Sequence, residues 1–371
     1  MPIKTPAPTH PAADRKSSRK YTVLISDADQ TCGVEEFSRL LAARLSDRAR
    51  THNLDFDLAG LSASLKDANG LLLNFPVVAW KKKLVEPLLA ALSARLRGQD
   101  VIVILHEWAA LDWKRRLVLS PVLLLATKVC FSAPEISAEF TGTGLSRLVT
   151  GNRTIVPIPP NLAAPSELKP GAFSERLKAE RGKGRLILGQ FGSIYPQKQA
   201  DSLLAVAAEL RSRGQDVFVA YAGSFIKGQD TVEQDFAEAV TQHDLADRVA
   251  VSGFIGTEEE LFAIFREIDV FCYLLPDGLT ARRGSVLAAA ASGKPVVVNA
   301  PLGETALSHH RLFRQLIENG GIQLIPAGAD IGQAADAVLT AREKDIRPTD
   351  FAGEISALWE DVIAKIDGKA R

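Results

Sequence analysis

LILGQFGSIYPQK, residues 186–198, decides the fold of this chain: a short apolar run ends in a glycine-containing turn and a lysine. The alternation of apolar runs with amphipathic helices continues to residue 299. Strand, crossover helix and strand in repetition build a parallel sheet, and ligands of such sheets bind at the carboxyl ends of the strands. Glycine amides and a lysine at those ends favour a phosphorylated ligand.

The bulk composition limits the classes of protein that need to be considered. At 371 residues the chain exceeds what one core usually organises, so two domains are expected. With 46% apolar and 24% charged residues and a net charge of zero, the composition is ordinary, and nothing in it favours nucleic acid as a partner. The three cysteines are far apart and indicate reduced, cytoplasmic thiols.

Neither a signal peptide nor a membrane span is predicted. Residues 1–19 contain four prolines and several charges without an apolar segment, and we expect a disordered tail there. The longest apolar stretch, Leu117 to Ala126, is about half of the ~20 residues that a spanning helix needs.

The first domain begins with a strand at Tyr21 to Ser26, a turn containing Gly33 and an amphipathic helix. This turn lacks the Gly-x-Gly-x-x-Gly pattern of dinucleotide-binding oxidoreductases, which argues strongly against that class. Further strands are predicted at residues 57–61, 70–75, 101–105, 128–131 and 154–158, and in the second half at 185–191, 217–222, 249–252, 270–274, 295–299 and 322–325. The predicted fold class is therefore α/β, with two Rossmann-like, doubly wound parallel sheets.

The chain is divided on these patterns into five parts. They are a tail at 1–19, an N-terminal Rossmann-like domain at 20–163, a linker at 164–184, a C-terminal domain at 185–345 and a final helical segment at 346–371. The linker is inferred from Pro165, Pro170 and the charged run that follows them.

Seven phrases, taken in order, resemble the retaining GT-B-fold glycosyltransferases of family four, the group 1 type. They are Cys32 to Glu35, Ile104 to Glu107, Ile155 to Asn161, Pro196 to Lys198, Asp247 to Phe254, Asp269 before a strand, and Ala291 to Val296. The resemblance implies two domains that face each other across a cleft, with the nucleotide-sugar donor held by the second and a glycan or lipid-linked acceptor by the first. It also implies that the final helix crosses back to the first domain, and that the family's usual role is in bacterial surface glycans, such as exopolysaccharide or lipopolysaccharide.

Glycosyl transfer from such a donor requires fixed positive groups beside the departing diphosphate. We predict catalytic roles for His106, which would contact the donor sugar, and for Lys198, Arg282 and Arg283, which would contact phosphate. The residues predicted to bind the donor are Gly33, Gly192, Ser193, Ser252, Gly253, Gly284 and Ser285. The alternative interpretations are a packing histidine, surface cations and a glycine needed only for its turn. We assign no Asp-x-Asp pair to a sheet edge, and expect neither a metal nor another cofactor.

The sequence departs from the family pattern at two positions. Many relatives carry two glutamates eight residues apart before the Gly-Lys-Pro phrase, where this chain has Thr280 and Ala288. Ala288 cannot bind a ribose, and Arg282-Arg283-Gly284-Ser285 stands beside it instead. The alternative hypothesis is therefore a catalytically degenerate relative that binds a sugar or a protein partner.

The stretch from Ala79 to Lys128 is basic. It contains the predicted third helix, whose apolar side chains are Val85, Leu88, Leu89, Leu92 and Leu96. Between Ala79 and Lys128 there are nine Lys or Arg residues against four acids, with Trp80, Trp108 and Trp113 among them. We expect the leucines of this helix to be buried in the domain. The basic residues and tryptophans leave open a cytoplasmic protein that makes peripheral contact with an anionic membrane.

Overall fold

The computed structural model describes residues 19–26, 33–77, 80, 85–194, 199–225 and 231–368. These residues form two compact units, one made of the chain up to Asn161 together with the chain from Ile355 onward, the other of 162–354. Each unit contains one six-stranded parallel sheet with helices in its crossover connections. The predicted fold class of two Rossmann-like sheets is confirmed.

Twelve strands and thirteen helices are described. The strands are β1 Tyr21–Ile25, β2 Ala49–Asn53, β3 Gly70–Phe75, β4 Asp100–Leu105, β5 Lys128–Phe131, β6 Asn152–Ile155, β7 Leu186–Phe191, β8 Val217–Ala222, β9 Val249–Val251, β10 Val270–Tyr273, β11 Val296–Asn299 and β12 Ile322–Ile325. The helices are α1 Gly33–Leu45, α2 Leu58–Leu65, α3 Val85–Leu96, α4 Trp113–Leu125, α5 Pro134–Thr141, α6 Ala172–Gly182, α7 Gln199–Ser212, α8 Val232–Gln242, α9 Glu258–Glu267, α10 Gly284–Ala291, α11 Arg311–Glu318, α12 Ile331–Glu343 and α13 Phe351–Asp367.

The two sheets differ in the order of their strands. The first runs β2-β1-β3-β4-β5-β6, so the direction of winding reverses between β1 and β3. The second runs β12-β11-β10-β7-β8-β9, so its reversal lies between β7 and β10. In open α/β sheets the crevice at such a reversal, on the carboxyl side, is where ligands bind.

The inner strands of both sheets are buried along most or all of their length. Every residue of YTVLI in β1 and of VFVAYA in β8 is buried. A strand covered on both faces by helices has no polar side to present to water, which explains why these segments read as continuous apolar runs. Each fully buried Val, Leu or Phe contributes about 1.5–3 kcal/mol of transfer free energy.

One predicted strand was wrong and another was missed. Residues 57–61 begin helix α2 instead of a strand, because the Asp57 carboxylate caps this helix by accepting a hydrogen bond from the Gly60 amide, 2.9 Å away. The strand at this point of the chain is β2, whose polar sequence ARTHN carries little apolar signal. It pairs with β1 alone, at the edge of the sheet.

The expected burial of the α3 leucines holds only in part, since Leu88 packs partly buried against the core while others face outward. Helix α3 buries its small residues Ala90, Ala91 and Ala94, while the side chains of Val85, Leu92 and Leu96 are 58%, 43% and 79% exposed. Alanines on the inner face allow the helix to approach the sheet and α4 closely. Of the tryptophans, Trp80 and Trp108 are core residues, and Trp113 on α4 is 70% exposed.

Helix α13 packs its last three turns into the first unit. Trp359 stacks on Phe37 of α1 with 5.2 Å between ring centroids. The buried Asp367 carboxylate accepts a hydrogen bond of 2.7 Å from the Tyr21 hydroxyl and forms a 2.6 Å ion pair with Arg48. Burial and the Asp367 charge raise the pKa of Tyr21 far above its usual value, so this phenol stays protonated.

Helix α6 lies within residues 164–184, the segment expected to be a linker. It packs on α9, with Leu177 fully buried, and Arg181 forms ion pairs with Glu267 at 3.2 Å and with Asp269 at 3.1 Å. Asp269 in turn accepts a 2.9 Å hydrogen bond from the Ile187 amide at the start of β7. Asp269 therefore connects strands at the amino edge of the sheet, away from the edge where ligands bind.

Candidate functional site

At the carboxyl edge of the second sheet, the loops after β7 and β8 are in backbone contact. The Gly192 amide donates to Ala222 O at 3.1 Å, and the Ile194 amide donates to Ser224 O at 3.0 Å. A Cβ on Gly223 would stand 2.0 Å from Gly192 O, so only glycine allows the loops after β7 and β8 to approach this closely. Gly192 itself has a φ of 131°, a conformation that favours glycine.

Tyr273 joins this loop to helix α10. Its hydroxyl lies 3.1 Å from the Phe191 amide, from which it accepts a hydrogen bond, and 3.4 Å from Ser285 O. Burial raises the pKa of Tyr273 far above its usual value, so the group remains a neutral phenol able both to donate and to accept. The last residue of β10 therefore fixes the end of β7 against the first turn of α10.

Helix α10 begins at the reversal point with its first turn uncapped by a side chain. Arg283 occupies the N-cap position and makes no side-chain capping hydrogen bond. Gly284 is exposed, Arg282, Arg283 and Ser285 are half-buried, and a Cβ on Gly192 would stand 3.8 Å from Ser285 Cβ. A helix N-terminus with two guanidinium groups beside it is a chemical environment suited to an anion such as a diphosphate.

The predicted donor-binding residues of the second unit thus fall into two groups. Gly192, Ser193, Gly284 and Ser285 lie at the ends of β7 and α10. Ser252 and Gly253 follow β9, two strands from β7 in the sheet. The Ser252 hydroxyl accepts a 2.9 Å hydrogen bond from the Gly223 amide and donates to Gly253 O at 2.8 Å, an arrangement that supports the Gly192–Gly223 contact.

Lys198, with the whole phrase 195–198, lies outside the described residues. Ala288 is 1% exposed within the core on α10, and the Thr280 carbonyl accepts a hydrogen bond from the Arg283 amide at 3.1 Å. The described part of this edge therefore presents no carboxylate at either position where relatives carry glutamate.

In the first unit, His106 lies at the carboxyl end of β4, as its sequence position predicts. Its ring is 6% exposed, packs edge-on against Phe37 with 5.3 Å between centroids, and places Nε2 3.1 Å from Asn74 Oδ1. Asn74 is completely buried in β3. The sequence indicates that Asn74 has a polar neighbour, because an amide inside the apolar run GLLLNF needs a hydrogen-bonding partner.

The loop after β1 is held at both of its described ends. The buried Glu35 carboxylate accepts hydrogen bonds from the Ser26 amide at 2.7 Å and from the Ser26 hydroxyl at 2.9 Å. Glu35, in the first turn of α1, thus reaches back to the end of β1. Gly33 is the first residue of α1, and a Cβ there would have no neighbour within 4 Å, while residues 27–32 lie outside the described residues.

The assignment of no Asp-x-Asp pair to a sheet edge was wrong. Asp55-Phe56-Asp57 directly follows β2, and Asp27-Ala28-Asp29 follows β1 outside the described residues. Asp57 caps α2, as described above, and Asp55 is exposed.

A surface depression of about 880 Å³ lies at the opposite, amino edge of the first sheet. Its lining includes Lys66, Asn69 and Arg97. Because the strands present their amino ends here, and the reversal crevice lies at the other edge, we do not include this depression in the candidate site.

Comparison with known proteins agrees with this geometry. Residues 185–344, nearly the whole second unit, match the family model described as Glycosyl transferases group 1. The second unit is thus similar to group 1 glycosyltransferases, in agreement with the resemblance inferred from the sequence.

Two curated proteins match parts of the chain. Putative glycosyltransferase EpsF of Bacillus subtilis (strain 168) is 29% identical over 226 residues, which are 58% of this chain and 55% of that protein. The phosphatidylinositol N-acetylglucosaminyltransferase GPI3 subunit of Saccharomyces cerevisiae (strain YJM789) is 24% identical over 149 residues, 40% of this chain and 31% of that protein. The chain therefore spans about half of the first relative and a third of the second.

Solved structures resemble the chain over nearly its full length. HepE of Anabaena in complex with UDP has a TM-score of 0.61 at 15% identity and covers 93% of this chain and 95% of its own. Sucrose-phosphate synthase from Thermosynechococcus elongatus has a TM-score of 0.58 at 19% identity and covers 94% and 98%. At these identities the likeness establishes the fold.

Proposed function

We propose that this protein is a nucleotide-sugar-dependent glycosyltransferase that acts with retention and extends a bacterial surface or exported glycan. The observation that carries the proposal is the uncapped first turn of α10, with Arg282 and Arg283 beside it, at the strand reversal of a group 1 glycosyltransferase domain. The surface-glycan role is supported by the partial match to EpsF.

In the proposed reaction, an acceptor hydroxyl oxygen bonds to the anomeric carbon of the sugar as the bond between that carbon and the donor diphosphate breaks, and the hydroxyl proton passes to the leaving diphosphate. The Ser285 amide in the first turn of α10 donates to a phosphate oxygen, and the two guanidinium groups neutralise the negative charge that develops there. Lys198 adds a third cation. Each hydrogen-bond donor of the protein that is already in position before the reaction contributes about 3 kcal/mol to the stabilisation of the transition state. His106, held by Asn74, contacts the donor sugar, and no metal is needed for the transfer.

Isothermal titration calorimetry with UDP, GDP and ADP tests the donor site. UDP is the first choice, because the structurally similar HepE is described in complexes with UDP and with UDP-glucose. We expect saturable binding of one nucleotide diphosphate, weakened more than tenfold in Arg283→Ala. Arg342→Ala, which removes an exposed arginine of α12, is the matched control and should bind like the wild type.

A second candidate function is supported by one observation. Ala288 is buried and Thr280 is engaged through its backbone, so the described edge lacks the two glutamates of many relatives. A non-catalytic sugar- or protein-binding relative would explain this. Binding of UDP without hydrolysis or transfer from any UDP-sugar would support this alternative, and binding followed by transfer would exclude it.

For the acceptor we propose a lipid-linked glycan, reached by peripheral contact with an anionic membrane. None of the described helices is long and apolar enough to cross a bilayer. Helices α3 and α4, which pack together, nevertheless present apolar residues outward, with Leu96, Trp113 and Leu117 65% to 79% exposed. Lys114 lies over the Trp113 ring at 5.7 Å, and apolar side chains beside cations are typical of surfaces that enter an anionic bilayer interface.

Co-sedimentation with vesicles tests this contact. The full chain should sediment with vesicles rich in phosphatidylglycerol and remain unbound with pure phosphatidylcholine. The double variant Trp113→Ser with Leu117→Ser should lose most of the binding. Equal binding to both kinds of vesicle, or binding that survives the double substitution, would contradict the proposed membrane contact.

A further inference from the structure

A cluster of three potential metal ligands lies at the carboxyl edge of the first sheet, apart from the donor site. His52 is the fourth residue of β2, Asp55 follows this strand, and Glu86 is the second residue of α3. One ligand atom from each of the three side chains lies within 4.8 Å of the others. Two segments that are distant in sequence, the end of β2 with the residues after it and the start of α3, thus bring an imidazole and two carboxylates to one point.

Two of these side chains are buried with a polar atom that has no hydrogen-bond partner among the described residues. His52 is 9% exposed and its Nε2 is unpartnered, and Glu86 is 1% exposed with Oε2 unpartnered. A buried carboxylate costs several kcal/mol unless a positive charge compensates it. The buried, unpartnered atoms therefore indicate a ligand that supplies positive charge and accepts electron pairs.

The other oxygen of Glu86 is already fixed. Glu86 Oε1 accepts a 2.7 Å hydrogen bond from the amide of Phe56, a residue with a φ of 62°. This bond orients the carboxylate and leaves Oε2 for the cluster. Such hydrogen bonds to the far side of a ligand are typical of metal sites, where they set the direction of the ligating atom.

We propose that His52, Asp55 and Glu86 bind a divalent first-row transition metal of the zinc type. An imidazole nitrogen in the set disfavours magnesium and calcium, which prefer oxygen alone. Bonds of about 2.0–2.2 Å to a tetrahedral zinc place ligand atoms about 3.4 Å apart, so the cluster must contract on binding. Asp55 is exposed and can rotate inward, while the buried His52 and Glu86 stay in place.

Three protein ligands leave a tetrahedral metal one open position, which water fills until another ligand replaces it. The metal would also connect the polar edge strand β2 to the start of α3. None of the three ligands is among the residues proposed above for the donor site.

Metal titration of the full chain, prepared without a histidine tag and stripped with chelator, tests the proposal. We expect one equivalent of Zn²⁺ to bind, and Co²⁺ to give the visible absorption of a four- or five-coordinate ion. His52→Gln and Asp55→Asn should each weaken Zn²⁺ binding more than tenfold. His243→Gln and Asp67→Asn, a histidine and an exposed acid outside the cluster, should leave it unchanged.

The variant Glu86→Gln tests the proposal by thermal unfolding, with opposite effects expected on the metal-free protein and on its response to Zn²⁺. Because it removes an uncompensated buried charge and keeps the acceptor for the Phe56 amide, this variant should raise the Tm of the metal-free protein. It should also abolish the rise in Tm that Zn²⁺ causes in the wild type. Absence of saturable Zn²⁺ binding, or binding that persists in both His52→Gln and Asp55→Asn, would overturn the proposal.

Discussion

The carboxyl edges of the two sheets are built by different means. In the second unit, loops meet through glycine backbone at Gly192 and Gly223, and the first turn of α10 is left uncapped by side chains. In the first unit, buried side-chain pairs occupy the edge, Ser26 with Glu35 and Asn74 with His106. An edge made of glycine backbone lets neighbouring loops and a phosphorylated ligand approach closely, whereas an edge made of paired side chains fixes its loops by internal hydrogen bonds.

The largest effect is expected where the backbone contact of the second edge is broken. Gly223→Ala places a methyl group 2.0 Å from Gly192 O, so the two loops must separate. We expect a loss of about 3 kcal/mol or more in the free energy of unfolding of the second unit, and loss of UDP binding. Gly253→Ala also has a positive φ, 75°, but open space around the new Cβ, and should cost only about 1–2 kcal/mol. Urea unfolding and calorimetry measure both, and an unaffected Gly223→Ala would show that the contact is unimportant.

The first unit should respond to a different substitution. Asp367→Ala removes the partner of Arg48 and Tyr21 at the end of α13, and should lower the free energy of unfolding by about 3 kcal/mol. UDP affinity should not change, because the substitution lies outside the second unit. Asp361→Ala, which breaks only the partly exposed pair with Lys365, should cost less than about 0.5 kcal/mol. An equal loss in the free energy of unfolding for the two variants would show that the buried cluster of Asp367, Arg48 and Tyr21 contributes no more than a partly exposed ion pair.

His106 distinguishes a structural from a chemical contribution of the first edge. His106→Ala leaves Asn74 Oδ1 without this partner and opens a space beside Phe37, for a cost of about 2 kcal/mol. UDP binding should remain, and sugar transfer should fall by more than the loss of folded protein explains. Transfer unchanged per folded molecule would leave His106 with a packing role only.

A smaller effect is expected from Tyr273→Phe. Removal of the hydroxyl deprives the Phe191 amide of its acceptor and loosens the first turn of α10, at a cost of about 1 kcal/mol. We expect UDP affinity to fall a few-fold by calorimetry. If Tyr273→Phe is measurably less stable but binds UDP with full affinity, Tyr273 does not support the donor site.

The smallest effect is expected in the pH dependence of folding stability, to which one thiol of each unit contributes. Burial raises the pKa of Cys130 in β5 and of Cys272 in β10 from 9.0 to about 12. Between pH 9 and pH 12 the unfolded chain therefore binds fewer protons at these thiols than the folded chain, and folding stability should decline as the pH rises above 9. Replacing both cysteines by alanine should flatten this decline in alkaline denaturation curves, and an unaltered slope would contradict the assigned burial.

The sequence predicted most of the fold, because central strands buried on both faces are apolar throughout. It failed at the edge of the first sheet, where the polar β2 carries no such signal and Asp57 begins a helix. The prediction for helix α3 failed for a related reason. Alanines form much of its buried face, so a large part of the apolar stripe in the sequence lies on the outward face. Periodicity identifies an amphipathic helix without showing which side meets the core.

For the candidate site, the sequence located the loops and missed the side chains that support them. Gly192 and Gly284 could be assigned to these loops because glycine and strand ends are visible in the sequence. Tyr273 and Asn74 each sit inside an apolar strand, and their partners come from other segments, so only the strand order brings them together. Ser252 was predicted to bind the donor, and its hydroxyl holds the Gly223 amide.

The central claim is that α10 receives the diphosphate of a nucleotide sugar. A crystal structure of the full chain with UDP tests it most directly. We predict a phosphate oxygen within hydrogen-bonding distance of the Ser285 amide, with at least one of Arg282 and Arg283 in contact. Phosphates bound elsewhere, with the first turn of α10 facing only solvent, would contradict it.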